Sequence, residues 1–256
     1  MWINQRFFNY CRWYFKRECY PKDVKNGIVP LLFAVEDKFF GNYNVQKKLD
    51  VFYSFGQNLT GLRLSIEKVC RKLKKEGYKI LIESGFPYKK YLRLISSSFI
   101  TIDAWGGGDC NARIWEIFAN KSCCFSQKYN IVFPNSFTDG YNYVEYSTIN
   151  QFEKKIRNYL RNREECQQIA ERGYQHMIKF HTSKERVKYM LDILERDKSK
   201  RFHPNKKNYI GKIIYLNVIL SSFSKEPKYI YRYIINLLKE LKFRMMNIEF
   251  PNNHIY

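Results

Sequence analysis

The sequence predicts an α/β protein: a Rossmann-like parallel sheet with flanking helices, followed by a basic helical tail. Three observations predict it. Short apolar runs alternate with amphipathic stretches between Leu49 and Ser126, the pattern of successive βαβ units. Two glycine-bearing turns, at Gly56 and at Gly106, Gly107 and Gly108, each follow an apolar run, placing them at the carboxyl ends of strands, where such sheets bind ligands. At 256 residues, 45% hydrophobic and 18% aromatic, the chain has the apolar content for one good-sized core.

The elements follow in order. Residues 49–55 form a β-rich first strand, ended by Gly56, Gln57 and Asn58. Thr60 is expected to cap a helix in which Leu62, Leu64, Ile66, Val69, Cys70 and Leu73 recur at helical spacing, and Gly77 closes it. Residues 78–82 are the second strand, 83–87 a loop, 88–97 a helix and 98–103 a third, buried strand. The glycine turn leads into a helix over 110–120, and 122–126 is the fourth strand. Asn150-Gln-Phe-Glu153 reads as a capping box, a second helix covers about 164–179, and Thr182-Ser-Lys-Glu185 opens a third, with Val187, Met190, Leu191 and Leu194 on one face.

The expected organisation is a leader at 1–48, aromatic and basic with a turn-like Pro21-Lys-Asp, then a ligand-binding domain at 49–197 and a tail at 198–256. In the tail, 209–223 and 229–246 read as basic amphipathic helices that either pack on the body or lie on an anionic membrane surface.

The formal net charge is +21. It suits attraction to nucleic acid, a membrane surface or a phosphorylated substrate. It is equally the product of a composition rich in Lys, Asn, Tyr, Ile and Phe, with scattered cations. No apolar run reaches the roughly 18 residues needed to span a bilayer, and the start lacks the apolar core of a secretory signal. Seven cysteines without a C-x-x-C pair read as reduced thiols of a cytoplasmic protein rather than a disulfide frame or zinc site. No D-x-D sequence in the sheet region calls for a metal.

The densest chemistry lies in Asp103-Ala-Trp-Gly-Gly-Gly-Asp-Cys-Asn-Ala-Arg113-Ile-Trp-Glu116. Glycines let a backbone approach a phosphate, and a following helix aims unpaired N–H groups at it. Arg113 is placed to neutralise phosphate oxygens and Glu116, one turn on, to accept hydrogen bonds from ribose hydroxyls. The plain alternative is a tight strand-to-helix turn with solvated charges. Asp109 is read as a helix cap or a site residue, Arg63 as a phosphate partner or a helix anchor, and His181 as structural.

Several of these residues together resemble the carboxyl-terminal, donor-binding half of GT-B glycosyltransferases, of the group 1 family and its spore-maturation-type subfamily. Asp50-Val-Phe-Tyr-Ser-Phe-Gly56 with Arg63 is similar to the family's first strand, turn and helix. Arg113-Ile-Trp-Glu116-Ile-Phe-Ala119 is similar to its central motif, Asp139-Gly-Tyr-Asn142 to a later loop, and His181-Thr182…Arg186 to its closing helix. Pro30-Leu-Leu-Phe33 suits the segment that links the two halves. The resemblance covers about residues 25–195. It implies a nucleoside-diphosphate sugar as donor substrate, with no further cofactor, held by Gly56, Gln57, Arg63, Gly107, Gly108, Asp109, Arg113 and Glu116. It implies transfer to a glycan, lipid or protein acceptor.

Three departures carry expectations of their own. Gly108 stands where many relatives have a second glutamate, with Asp109 adjacent. Asn120-Lys121 replaces a glycine-containing turn and is expected to bring a cation near the donor. The residues before Leu49 are too few for an acceptor-binding domain, so the expectation is that the acceptor half is a separate domain or chain, or that the sequence is a fragment, or that the protein binds nucleotide sugar without turning it over. The competing expectations are a basic nucleic-acid-binding protein and a catalytically silent nucleotide-sugar-binding module.

Overall fold

A computed structural model describes residues 13–41, 45–56, 61–106 and 109–196. Gln57, Thr60, Gly107, Gly108 and the expected tail lie outside the described residues. The strands are β1 (Phe15–Lys16), β2 (Val29–Pro30), β3 (Leu49–Tyr53), β4 (Ile80–Ile82), β5 (Ser98–Asp103), β6 (Cys123–Gln127) and β7 (Val144–Tyr146). The helices are α1 (Pro21–Lys25), α2 (Leu62–Lys75), α3 (Tyr88–Ser96), α4 (Arg113–Ala119), α5 (Ile149–Arg161), α6 (Arg163–Phe180) and α7 (Ser183–Arg196).

Five strands form one parallel sheet in the order β4-β3-β5-β6-β7. Numbered along this sheet alone, the order is 2-1-3-4-5, a doubly wound arrangement whose order reverses between β3 and β5. The crevice beyond the carboxyl ends of those two strands is therefore the topological place for a ligand.

The alternation along β3 explains the two layers. Val51 and Tyr53 face the same side as Ile100 and Ile102 and bury against Ile66, Val69 and Leu73 of α2 and Phe152 and Ile156 of α5. Phe52 faces the other side with Leu92 and Ile95 of α3 and Trp115 and Phe118 of α4. With helices on both faces, the strands carry apolar side chains on both sides, as Val51, Phe52 and Tyr53 show. Gly77, at φ +99°, ends α2 as expected, because that left-handed position costs glycine little.

Several expectations change. The second strand starts at Ile80, not at residue 78. β7 was not foreseen: three residues carry too little alternation to register, and only pairing with Phe125, Ser126 and Gln127 makes them a strand. The capping box of α5 sits two residues earlier than expected. Thr148 Oγ1 accepts the Gln151 amide at 3.3 Å, and Gln151 Oε1 accepts the Ser147 amide at 3.0 Å. Glu153 instead pairs on the surface with Lys72 and Arg157. Thr182 caps α7 as expected, accepting the Glu185 amide at 3.3 Å.

From residue 13 onward the leader is folded, and Pro21-Lys-Asp, expected as a turn, opens the helix α1. β1 and β2 pair in parallel, Lys16 and Asp23 form an ion pair at 2.6 Å with both side chains buried, and Leu32, Val35 and Phe39 enter the core beside Trp115 and Phe118. Among the described residues no helix is long and apolar enough to cross a membrane.

Candidate functional site

The crevice is built on Asp103, the last residue of β5, which the sequence reading passed over. Its side chain is fully buried. Oδ1 accepts Asn111 Nδ2 at 3.1 Å, and Oδ2 accepts the Ser126 hydroxyl at 3.0 Å and the Tyr129 hydroxyl. Its carbonyl accepts the Tyr146 hydroxyl at 2.6 Å, and Gln127 Oε1 accepts the Trp105 amide at 3.2 Å. These bonds satisfy a buried carboxylate and tie the end of β5 and Trp105 to β6, β7 and the loop that follows β6. The available signal was a polar residue closing an apolar run at the ligand edge of a sheet.

Two arginines meet at this edge. Arg63 comes from the start of α2 and Arg113 from the start of α4, and both guanidinium groups lie against the Phe55 ring, at 4.6 and 4.0 Å from its centroid. Such stacking attracts each cation to the ring, but it also brings two like charges together. Arg63 is held below the usual arginine range by burial and then by Arg113. One Arg63 Nη2 donates to the Ala104 carbonyl at 3.1 Å, and among the described residues neither arginine has a carboxylate partner. Arg63 Nε, Arg113 Nη1 and Trp105 Nε1 are buried donors without an acceptor among those residues. Gly106 is matched to this packing: a Cβ there would lie 3.0 Å from Arg63 Nη2 and press on the guanidinium.

Glu116 lies one turn along α4 and is 9% exposed. The Tyr88 hydroxyl donates to Oε1 at 3.1 Å and the Tyr91 hydroxyl to Oε2 at 3.0 Å. Burial raises its pKa, and the two tyrosine hydrogen bonds and Arg113 oppose that rise. The tyrosines were not anticipated, since 28 and 25 residues separate them from Glu116 and no periodicity links them.

Other expectations are corrected. Asp109 does not cap the helix; Asn111 does so, its Oδ1 accepting the Arg113 amide at 2.8 Å. Asp109 accepts the Asn130 amide instead, and burial together with Glu18 raises its pKa. α4 has only seven residues and its first amide is already taken, so charge at this edge comes from the guanidinium groups and not from a helix end. Gly56 is exposed at the end of the β3 segment with open space around it. Lys121 does not approach the crevice: it precedes β6, at the opposite edge of the sheet, and pairs with Glu171 at 2.8 Å. Asn120 is buried beside it, donating to the carbonyls of Phe39 and Glu116 at 2.7 and 2.8 Å.

His181 is structural, as expected. Its Nδ1 accepts Arg186 Nη2 at 2.9 Å and its Nε2 faces the Asn135 carbonyl at 3.1 Å. Burial, then Arg186, pulls its pKa down to about 3. An unfolded histidine takes up a proton near pH 6.5, so between these values unfolding binds a proton. The stabilisation is complete above about pH 6.5 and is lost as pH falls toward 3. Urea titrations of His181→Gln should therefore show a stability–pH slope shallower than wild type by about 1.4 kcal/mol per pH unit between about pH 5.5 and 4. Equal slopes would mean that His181 titrates as an ordinary histidine.

A family model described as glycosyl transferase-like matches residues 54–192. The chain belongs to the glycosyl transferase-like family. The family match takes in Arg63, Arg113 and Glu116 and runs from the end of β3 into α7. No curated protein matches the chain. Among solved structures, the GtfA/B complex is similar at a TM-score of 0.50 and 11% identity, covering 75% of this chain and 47% of that one, a likeness of fold. A glycosyltransferase from Rickettsia africae ESF-5 matches at 12% identity and a TM-score of 0.49, covering 69% of this chain and 59% of its own. TarM matches at 12% identity and a TM-score of 0.49, covering 68% and 41%. The chain thus spans about half the length of the solved structures it matches.

Proposed function

We propose that this family member binds a nucleoside-diphosphate sugar at the β3/β5 crevice, as the donor-binding half of a GT-B glycosyltransferase of the spore-maturation-type group. Family membership supports glycosyl transfer as the activity. The observation that carries the donor is the arginine pair on Phe55, two guanidinium groups without a carboxylate partner among the described residues. Held side by side, they repel; a diphosphate between them removes that cost and satisfies their free N–H donors. In this reading Glu116 accepts the ribose hydroxyls, and Gly56, Gln57, Gly107, Gly108 and Asp109 are the remaining donor contacts we propose.

In the transfer step an acceptor hydroxyl oxygen becomes bonded to the sugar's anomeric carbon and its proton passes to solvent, while the bond from that carbon to the diphosphate breaks, its electron pair passing to phosphate oxygen. Preorganised guanidinium groups stabilise the charge that grows there. The acceptor is a glycan, lipid or protein, bound by a separate domain or chain that supplies the opposite wall.

Thermal denaturation with UDP and GDP tests the proposal. Nucleotide at a hundred times its Kd adds about 2.7 kcal/mol, a rise of roughly 5–10 °C in Tm for a domain of this size. Arg113→Ala should remove most of that rise without lowering the ligand-free Tm. No shift with either nucleotide at millimolar concentration would overturn the donor site.

A further inference from the structure

The two tyrosines that meet Glu116 suggest how the site distinguishes one class of nucleotide from another. An ionised carboxylate offers about four acceptor positions, two on each oxygen. Tyr88 takes one on Oε1 and Tyr91 takes one on Oε2. By that count one position remains on each oxygen, so the carboxylate keeps the capacity to accept two further hydroxyls, one per oxygen. Tyr91 is well packed, its ring 5.8 Å from Phe52 and 6.2 Å from the nearly parallel ring of Tyr88. Tyr88 is 42% exposed. The ring contacts leave the Tyr91 hydroxyl little freedom, and the bond to Oε2 fixes the carboxylate plane in turn.

We propose that Tyr88 and Tyr91 clamp Glu116 as a two-point acceptor for the cis-diol of a ribose, so that the site selects ribonucleotides over nucleotides lacking the 2′ and 3′ hydroxyls. Tyr91 is the positioning residue: its hydroxyl is spent on the carboxylate and acts on the ligand only through Glu116. This rests on the donor-site proposal above. A site built to bond ligand hydroxyls discriminates strongly against the analogue without them, because its buried acceptors are then left unpaired.

The experiment measures the affinities of the full chain for UDP and for 2′,3′-dideoxy-UDP, in wild type and in Tyr91→Phe, which keeps the ring and removes the donor. The wild type should prefer UDP, and Tyr91→Phe should weaken UDP about tenfold while changing the dideoxy analogue by less than about twofold, so that the preference collapses. Equal losses for both nucleotides would make Tyr91 merely structural and overturn the clamp, as would an unchanged preference. Should Tyr91→Phe fail to fold, Tyr88→Phe, at an exposed position, tests the same ratio by the same criteria. A wild type that binds UDP without preferring it over the dideoxy form overturns the clamp alone. A wild type that binds neither UDP nor GDP overturns the donor site itself.

Discussion

Replacing Glu116 with alanine is expected to weaken UDP or GDP binding by about a hundredfold, on the proposal that it holds the ribose. Two hydroxyls bonded to an ionised carboxylate contribute about 1.5 kcal/mol each at the lower end of the range, together close to two powers of ten in Kd. The fold should survive. The substitution leaves the Tyr88 and Tyr91 hydroxyls without their acceptor, which is destabilising, but it also removes a buried carboxylate whose charge burial disfavours. These effects oppose one another, and the net change in stability should stay within about 2 kcal/mol. Calorimetric titration and urea denaturation read the two quantities separately. Unchanged affinity would take Glu116 out of the site, whereas a collapse in stability would make it part of the scaffold.

Gly173→Ala is expected to have the opposite profile, with a large loss of stability that reaches the site indirectly. In a helix interior alanine is ordinarily better than glycine by about 1 kcal/mol. Here α6 crosses the chain so closely that a Cβ on Gly173 would lie 2.5 Å from the Asn142 carbonyl and 2.9 Å from the Phe118 ring. Neither neighbour can swing away. Asn142 is buried, with its side chain receiving the Thr138 amide at 2.7 Å. Phe118 is fully buried and stacked on Phe137 at 4.2 Å. The helix must shift, at a cost of about 2–3 kcal/mol, or a fall of roughly 5–10 °C in Tm. Because Phe118 belongs to α4, which also carries Arg113 and Glu116, nucleotide affinity should fall as well. A Tm equal to or above wild type would show that the crossing has slack.

Much of the fold was legible because its signals are local. β3, β5 and β6 announced themselves as short apolar runs, and α2 as a periodic stripe closed by Gly77. β7 was not legible, since Val-Glu-Tyr becomes a strand only beside β6. The same division runs through the site. Arg113 and Glu116 were found together because one helical turn relates them. Asp103, Tyr88 and Tyr91 were missed because their roles arise from contacts that no spacing encodes. Lys121 was misplaced for a related reason: proximity along the chain to Glu116 suggested proximity to the ligand, but α4 carries the chain from the crevice to the far edge of the sheet.

By itself the sequence determined the parallel α/β architecture, the glycines that follow the apolar runs and the placement of Arg113 and Glu116 on one short helix. Tertiary structure alone decided the strand order that opens the crevice between β3 and β5, the meeting of Arg63 and Arg113 on Phe55, and the tyrosine hydroxyls on Glu116. The physical reason is range. Helical and strand periodicity are properties of a few neighbouring residues, whereas the charges and hydrogen bonds of this site join side chains brought together only by the crossover connections of a doubly wound sheet.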